Sequence, residues 1–219
     1  MLNSIEDMYK AFLDGIKKES TTTVRPDRFN RLINVAQLAW VMVNVKDVEV
    51  EQVDIDRFRE ILESEELETI TPRFFELPDM YLRMLSTSFK VQWKAGACET
   101  GISPFLPGNY IKTNNLSISK INPYRKTNQH RLHYRLIGNN VEFIENIHCD
   151  PIACLMEYIR YPQDMKFVAV DSTDNVDCEL PIHARQEVTE LAVRIHLERV
   201  VDPRYKSYLN EFVINSNIK

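Results

Sequence analysis

Four cysteines and five histidines are the side chains of this 219-residue sequence best able to hold a metal or attack an electrophile. Cys149-x4-Cys154 followed by Cys178-x4-His183 supplies the ligand types of tetrahedral zinc. The spacing argues against it, because structural sites pair their ligands on a tighter knuckle. Here Asp150 and Pro151 read as the cap and first residue of a helix, and Cys154 falls between the core positions Ala153 and Leu155. Reduced, buried thiols are the expected state, with no metal or cofactor required. Asp171, Asp174, Asp177 and Glu179 form a second cluster. Paired carboxylates there could hold a metal or act as acid and base in a small hydrolase. A polar loop explains the same four residues, since Asp favours turns through local hydrogen bonds.

Other catalytic signatures are missing. The sequence has no G-x-S-x-G and no H-E-x-x-H, and its five glycines (15, 96, 101, 108 and 138) never fall as G-x-G, which excludes the dinucleotide fingerprint. Gly96 to Ser103 has the glycine spacing of a phosphate loop but carries Ile102 where the lysine belongs. The inventory is that of a non-enzyme.

The elements that would position these residues begin with helices. Ser4 and Asp7 form a capping box ahead of Ile5, Met8, Phe12, Leu13 and Ile16 at helical spacing. Pro26 suits a first helical position before Phe29, Leu32, Ile33, Ala36, Ala39 and Trp40. The apolar run Val35 to Val45, broken by Gln37, falls short of the roughly 20 residues that span a bilayer and reads as a buried helix. Asp54 opens a predicted third helix with Ile55, Phe58, Ile61 and Leu62 inside and the acidic cluster on the other side. Pro78 and Asp79 start a short helix through Leu85. Phe89, Val91 and Trp93 then alternate with polar residues as a half-buried strand does, and so do Leu116 with Ile118 and Leu132, Tyr134 and Leu136. Gly138 to Asn140 turns the last of these into Val141 to Ile144, the clearest hairpin. A helix from Asp150, a β-rich run Lys166 to Val170, an amphipathic helix over 182–200 with Val188, Leu191, Ala192 and Ile195 as its stripe, and a final helix from Pro203 to Phe212 complete the reading. The predicted class is α+β: N-terminal helices, a central antiparallel sheet with a hairpin, and C-terminal helices packed on the sheet. One domain, 1–219, is expected, helical over 1–68 and sheet plus helices over 69–219.

Composition is that of a soluble globular chain, 44% hydrophobic and 27% charged. With Glu6 and Asp7 in its first turn, the start does not read as a secretory signal, so the thiols are expected in a reducing compartment. Charge is unevenly distributed. From Asp47 to Glu68 ten acidic residues face two arginines, net −8, whereas Thr100 to Val141 holds no carboxylate and is net +6. The basic run is either a solvated sheet face or a partner-binding surface, with Lys112, Lys120, Arg125, Lys126, Arg131 and Arg135 as its candidates. Glu49, Glu51, Glu60, Glu63, Glu65, Glu66 and Glu68 form the candidate acidic partner face. Tyr110, Tyr124, Tyr134, His130 and His133 are interleaved with the cations, a composition that also suits phosphate contacts and base stacking. An overall pI near 5.6 is wrong for a free-standing nucleic-acid binder.

Glu76-Leu77-Pro78-Asp79-Met80-Tyr81-Leu82, Asn122-Pro123-Tyr124-Arg125, Tyr134-Arg135-Leu136-Ile137-Gly138-Asn139-Asn140, Met156-Glu157-Tyr158-Ile159-Arg160-Tyr161-Pro162, Asp177-Cys178-Glu179-Leu180-Pro181 and Asp202-Pro203-Arg204-Tyr205 follow one another in this order. Over about residues 70–213 they resemble the virion structural proteins of crAss-like tailed phages, in particular the ring proteins that join portal to tail. The resemblance implies no catalysis and no cofactor. It implies a cyclic homo-oligomer, a dodecamer, stacked around the channel through which DNA leaves the capsid, with the portal and other connector or tail proteins as partners. The protein would be assembled in the bacterial host cytoplasm and reside in the virion, with no membrane contact. A nucleic-acid-binding accessory protein using the basic face over 100–141 is the alternative, and a small metal-dependent hydrolase a more distant one.

Overall fold

Ser4 opens the first helix as its sequence predicts. The Ser4 Oγ accepts from the Asp7 N–H (3.3 Å), and the Asp177 carboxylate accepts from the Ile5 N–H (2.7 Å), satisfying two donors that the first turn leaves without intrahelical partners. The computed structural model describes residues 2–17, 24–46, 56–95, 101–117, 127–128 and 131–200. The described chain divides into two compact units: Met1–Ile61 with Pro162–Lys219, and Leu62–Tyr161. The helices flanking the sheet in sequence thus share a unit, with boundaries at 61 and 161 where the sequence suggested a single change at 68.

In the helical unit α1 (Ile5–Lys17) and α2 (Pro26–Lys46) pack against α3 (Ile182–Val200). Helix α3 buries Ala184, Val188, Ala192 and Leu197, while Leu191 and Ile195 lie on the flank of that stripe. Its buried face is taken up by α1 and α2 within the same unit. Gly15 permits the close approach of α1, since a Cβ there would stand 3.0 Å from Val193 Cγ2. Helix α2 is buried on one side only rather than throughout: Phe29, Ile33, Ala36 and Val41 are inside, but Val35, Leu38, Met42 and Val43 are exposed.

Two asparagines one turn apart on α2 dock an extended segment. Asn34 donates to the Met165 carbonyl (3.0 Å) and accepts from the Met165 N–H (2.8 Å). Asn30 makes the same pair with Phe167, both at 2.9 Å. Each amide presents one donor and one acceptor to a backbone that would otherwise be buried without partners. Among the described residues, the predicted β-run from Lys166 to Val170 makes one bridge, from Lys166 to Val176.

The sheet unit holds β1 (Leu62–Glu66), β2 (Thr69–Thr71), β3 (Phe74–Glu76), β4 (Tyr81–Trp93), β5 (Leu106–Tyr110), β6 (Leu132–Ile137), β7 (Asn140–Phe143) and β8 (Cys149–Arg160). Their order is β1-β8-β4-β5-β6-β7-β3-β2. The ends of that order are consecutive in the chain. Leu67 N–H donates to the Cys154 carbonyl of β8 (2.8 Å), and the Glu68 carbonyl accepts from Glu76 N–H of β3 (2.9 Å), so the sheet returns on itself as a small barrel. Strand β5 makes the second corner: Leu106 and Pro107 pair with β4, whereas Gly108 to Tyr110 pair with β6. The β5–β6 pairing is parallel, so the sheet is mixed rather than antiparallel.

Inside lie Leu67, Phe75, Phe89, Val91, Leu132, Tyr134, Val141, Phe143, Met156 and Tyr158, with Phe89 at their centre. Its ring lies 6.0 Å from Phe75, 5.7 Å from Tyr134 and 5.1 Å from Phe143, contacts drawn from β3, β6 and β7.

The hairpin over 131–144 and the strand through Phe89, Val91 and Trp93 match the sequence reading. Of the third helix, expected from Asp54, Asp54 and Ile55 lie outside the described residues, Asp56 is helical, and a 3-10 turn at Arg59–Ile61 leads into β1. Three other predicted elements are corrected. The helix from Pro78 is the bulged start of β4. Leu116 follows a 3-10 turn at Thr113–Asn115 instead of lying in a strand. The helix from Asp150 is strand β8. Ile118 and the final helix from Pro203 to Phe212 lie outside the described residues.

Gly108 turns this closure into a test. A Cβ there would lie 2.7 Å from the Phe89 ring and 2.9 Å from Tyr134, both buried. Gly108→Ala is expected to destabilise by about 1–3 kcal/mol through overpacking, read as a lowered melting temperature. The same substitution at Gly138, where nothing lies within 4 Å but φ is +57°, costs only the backbone strain of a turn.

Candidate interaction clefts

Cys149 and Cys154 lie in β8 and Cys178 and His183 in the helical unit, so the two halves of the zinc pattern belong to different units. Burial pushes the Cys149 thiol up to about 11 and the Cys154 thiol up to about 12, the opposite of an activated nucleophile. Among the described residues no group of three or more His, Cys, Asp or Glu is arranged to hold a metal ion. Two of the four clustered carboxylates hold neighbouring backbone: Asp177 accepts from the Ile5 N–H at the start of α1, and Glu179 accepts from the Gln163 N–H at 2.9 Å.

The basic candidates separate into distinct roles. Lys112 and Arg131 come together at a cleft of about 540 Å³ on β5 and β6, lined also by Asn109, Tyr110, Ile111, Asn115 and His133. Parallel pairing builds it, because the register sets Asn109 beside His133 and Tyr110 beside Tyr134. Lys112 and Arg131 are exposed, Ile111 and His133 are buried beneath, and the Tyr110 ring is 50% exposed. Arg135 is not part of this group; it pairs with Glu142 directly across the β6–β7 hairpin. Lys120, Arg125 and Lys126 lie outside the described residues.

The acidic candidates divide in the same way. Glu65 and Glu68 line a second cleft, about 310 Å³, with Leu67, Glu76, Leu77, Pro78 and Asp79. It forms where the bent strand β1–β2 meets the β3–β4 connection. Glu63 is engaged within the barrel: Arg160 Nε donates to it at 2.8 Å. The Tyr158 hydroxyl lies 3.1 Å from Glu63 and 3.0 Å from Glu65. Burial first, and then the two carboxylates, hold that phenol well above its usual range. Glu60 and Glu66 are exposed, and Glu49 and Glu51 lie outside the described residues.

The two clefts share no lining residue. Around the barrel they are separated by β7 on one side and by β4 and β8 on the other. Sequence reasoning found Lys112, Arg131, Glu65 and Glu68 from their charge blocks, and noted Tyr110 and His133 among the cations. It missed Glu76 and Asp79, which lie beyond the acidic block in sequence and join it only when the sheet closes. No family model matches this sequence, and no curated protein matches it.

The raised thiol pKa values have a direct consequence. At pH 8 in the native protein, Cys149 and Cys154 are expected to react with iodoacetamide at least about a hundredfold more slowly than in denaturant, because so little thiolate is present. The rate should rise with pH toward the raised pKa values. Peptide mass spectrometry of the alkylated protein checks this, and rapid labelling of either residue at pH 8 without unfolding would contradict it.

Proposed function

We propose that the chain is a non-enzymatic structural subunit of a phage virion, a ring component of the head-to-tail connector or tail that encircles the DNA exit channel. The observation that carries this reading is the separation of opposite charge onto two flanks of one barrel, Lys112 and Arg131 on β5–β6 and Glu65, Glu68, Glu76 and Asp79 at the β1–β3 corner. A subunit with two different, complementary flanks joins its neighbours head to tail, and such contacts close into a ring when the rotation per subunit divides a full turn. Charge complementarity of this kind fixes register and speeds encounter more than it adds affinity. The order of sequence motifs, which resembles that of crAss-like phage ring proteins, supports the same reading. On it, the subunit assembles in the bacterial host cytoplasm, docks to the portal or to other connector and tail proteins, and resides in the virion. A neighbour's acidic flank suits the basic cleft better than the channel wall does, since phosphate attraction there would hinder DNA passage.

Light scattering at low and high salt tests the proposal. Lys112→Glu combined with Arg131→Glu should weaken self-association or portal docking about tenfold or more at low salt while leaving the melting temperature near that of the parent protein. Adding Glu68→Lys and Asp79→Lys should restore part of the association. Glu63 and Glu65 are left intact because they hold Tyr158 and Arg160. Unchanged assembly of the first double variant at both salt concentrations would show that the flanks are only solvated surface.

A further inference from the structure

Helix α2 is apolar on two sides. Phe29, Ile33, Ala36 and Trp40 face the core of the helical unit, and the opposite side carries Arg28, Arg31, Val35, Leu38 and Met42. Those five residues alternate spacings of three and four, the repeat of a coiled-coil seam, and so form one nearly straight stripe along the helix. Val35, Leu38 and Met42 are 45%, 42% and 43% exposed, and apolar side chains left open in one contiguous line mark an interaction surface where scattered ones do not. We propose that this stripe docks an amphipathic helix of another protein, whose apolar seam covers Val35, Leu38 and Met42 and whose carboxylates meet Arg28 and Arg31.

The partner's chemistry follows from the two ends of the stripe. Arg28 and Arg31 are exposed and make no ion pair among the described residues, so both charges stand available where the stripe begins. An arginine in a seam lays its stem on the apolar neighbours and keeps its guanidinium at the rim, within reach of a carboxylate on the facing helix. A second copy of α2 does not supply that carboxylate. Packed parallel, it sets Arg28 and Arg31 against themselves. Packed antiparallel, it sets them against the last turn of α2, which has no carboxylate and where the Arg57 guanidinium donates to Asn44 Oδ1 at 3.2 Å. Like charges meet in both alignments, which acts against self-pairing and in favour of an acidic partner. From residue 28 to residue 42 the stripe runs about 21 Å, a span that a partner helix of three heptads covers. It shares no residue with either charged cleft, so the inference stands apart from ring formation.

The full chain is titrated into nanomolar fluorescein-labelled helical peptides of three heptads, and binding is read by fluorescence anisotropy. Two acidic peptides carry leucine along one seam and a pair of glutamates at its N-terminal or its C-terminal end, and two controls carry lysines in place of the glutamates. One of the acidic peptides is expected to bind with a micromolar Kd, about tenfold or more tighter than its lysine control. Leu38→Glu should abolish this binding while leaving the melting temperature near that of the parent protein. Arg28→Glu combined with Arg31→Glu should exchange the order, so that the lysine peptide binds the tighter, a reversal that loss of structure does not produce. No binding of either acidic peptide at about 100 µM protein, as when another part of this chain covers the stripe, overturns the proposal. So does equal binding of the acidic and lysine peptides. Self-association that Leu38→Glu abolishes assigns the stripe to a second copy and overturns it as well. The ring reading is tested at the barrel flanks, which none of these substitutions touches, so the two can fail separately.

Discussion

The ring of Phe89 is the contact on which the sheet unit depends. It sits on β4 yet packs against Phe75, Tyr134 and Phe143, carried by β3, β6 and β7, strands that a flat sheet would place out of its reach. Only a sheet that returns on itself can gather them. Closure is completed at two corners: the bend at Leu67 and Glu68, where one strand changes partner from β8 to β3, and β5, where Gly108 lets the backbone cross directly over the Phe89 and Tyr134 rings. The aromatic contacts supply attraction, and the absence of a Cβ removes the obstacle.

The same closure distributes the charge. Strands β1 and β2 bring Glu65 and Glu68 to one corner, where the β3–β4 connection adds Glu76 and Asp79. Strand β5 carries Lys112 to the β6 flank, where Arg131 stands. Neither set is neutralised by the other within the barrel, whereas Arg135 with Glu142, Arg160 with Glu63, Lys94 with Asp150 and Arg73 with Glu145 are paired locally. Exposed pairs of this sort contribute little to stability.

Legibility in the sequence followed the regularity of the local pattern. Helices α1, α2 and α3 showed their caps and apolar spacing plainly, and the β6–β7 hairpin showed its alternation and turn. Strand β8 did not. Its alternation breaks where Ala153 and Cys154 are both buried, next to a register shift at Lys90 and Val91 of β4, and that break leaves Leu155, Met156 and Ile159 at helix-like spacing. Asp150 and Pro151 then imitate a helix start. The first half of β4 was hidden by the same means, with shifts between Tyr81 and Arg83 and between Met84 and Ser86. Bulges that let a barrel curve also erase the period by which a strand is recognised. The candidate clefts were half legible: the charge blocks were visible as blocks, but Glu76 and Asp79 join the acidic set only through closure, and Glu63 and Arg135 leave their sets because cross-strand neighbours claim them.

The central claim is that one barrel presents two different, complementary flanks. Native mass spectrometry of two variants, each with one flank reversed, tests it most directly. Lys112→Glu with Arg131→Glu removes the basic flank, and Glu68→Lys with Asp79→Lys removes the acidic one. Each variant alone should remain monomeric, because both of its flanks then carry the same sign, and an equimolar mixture should assemble, because the intact acidic flank of one meets the intact basic flank of the other and the two reversed flanks are again opposite in charge. Rings formed by either variant alone, or a mixture that stays monomeric, would contradict the account.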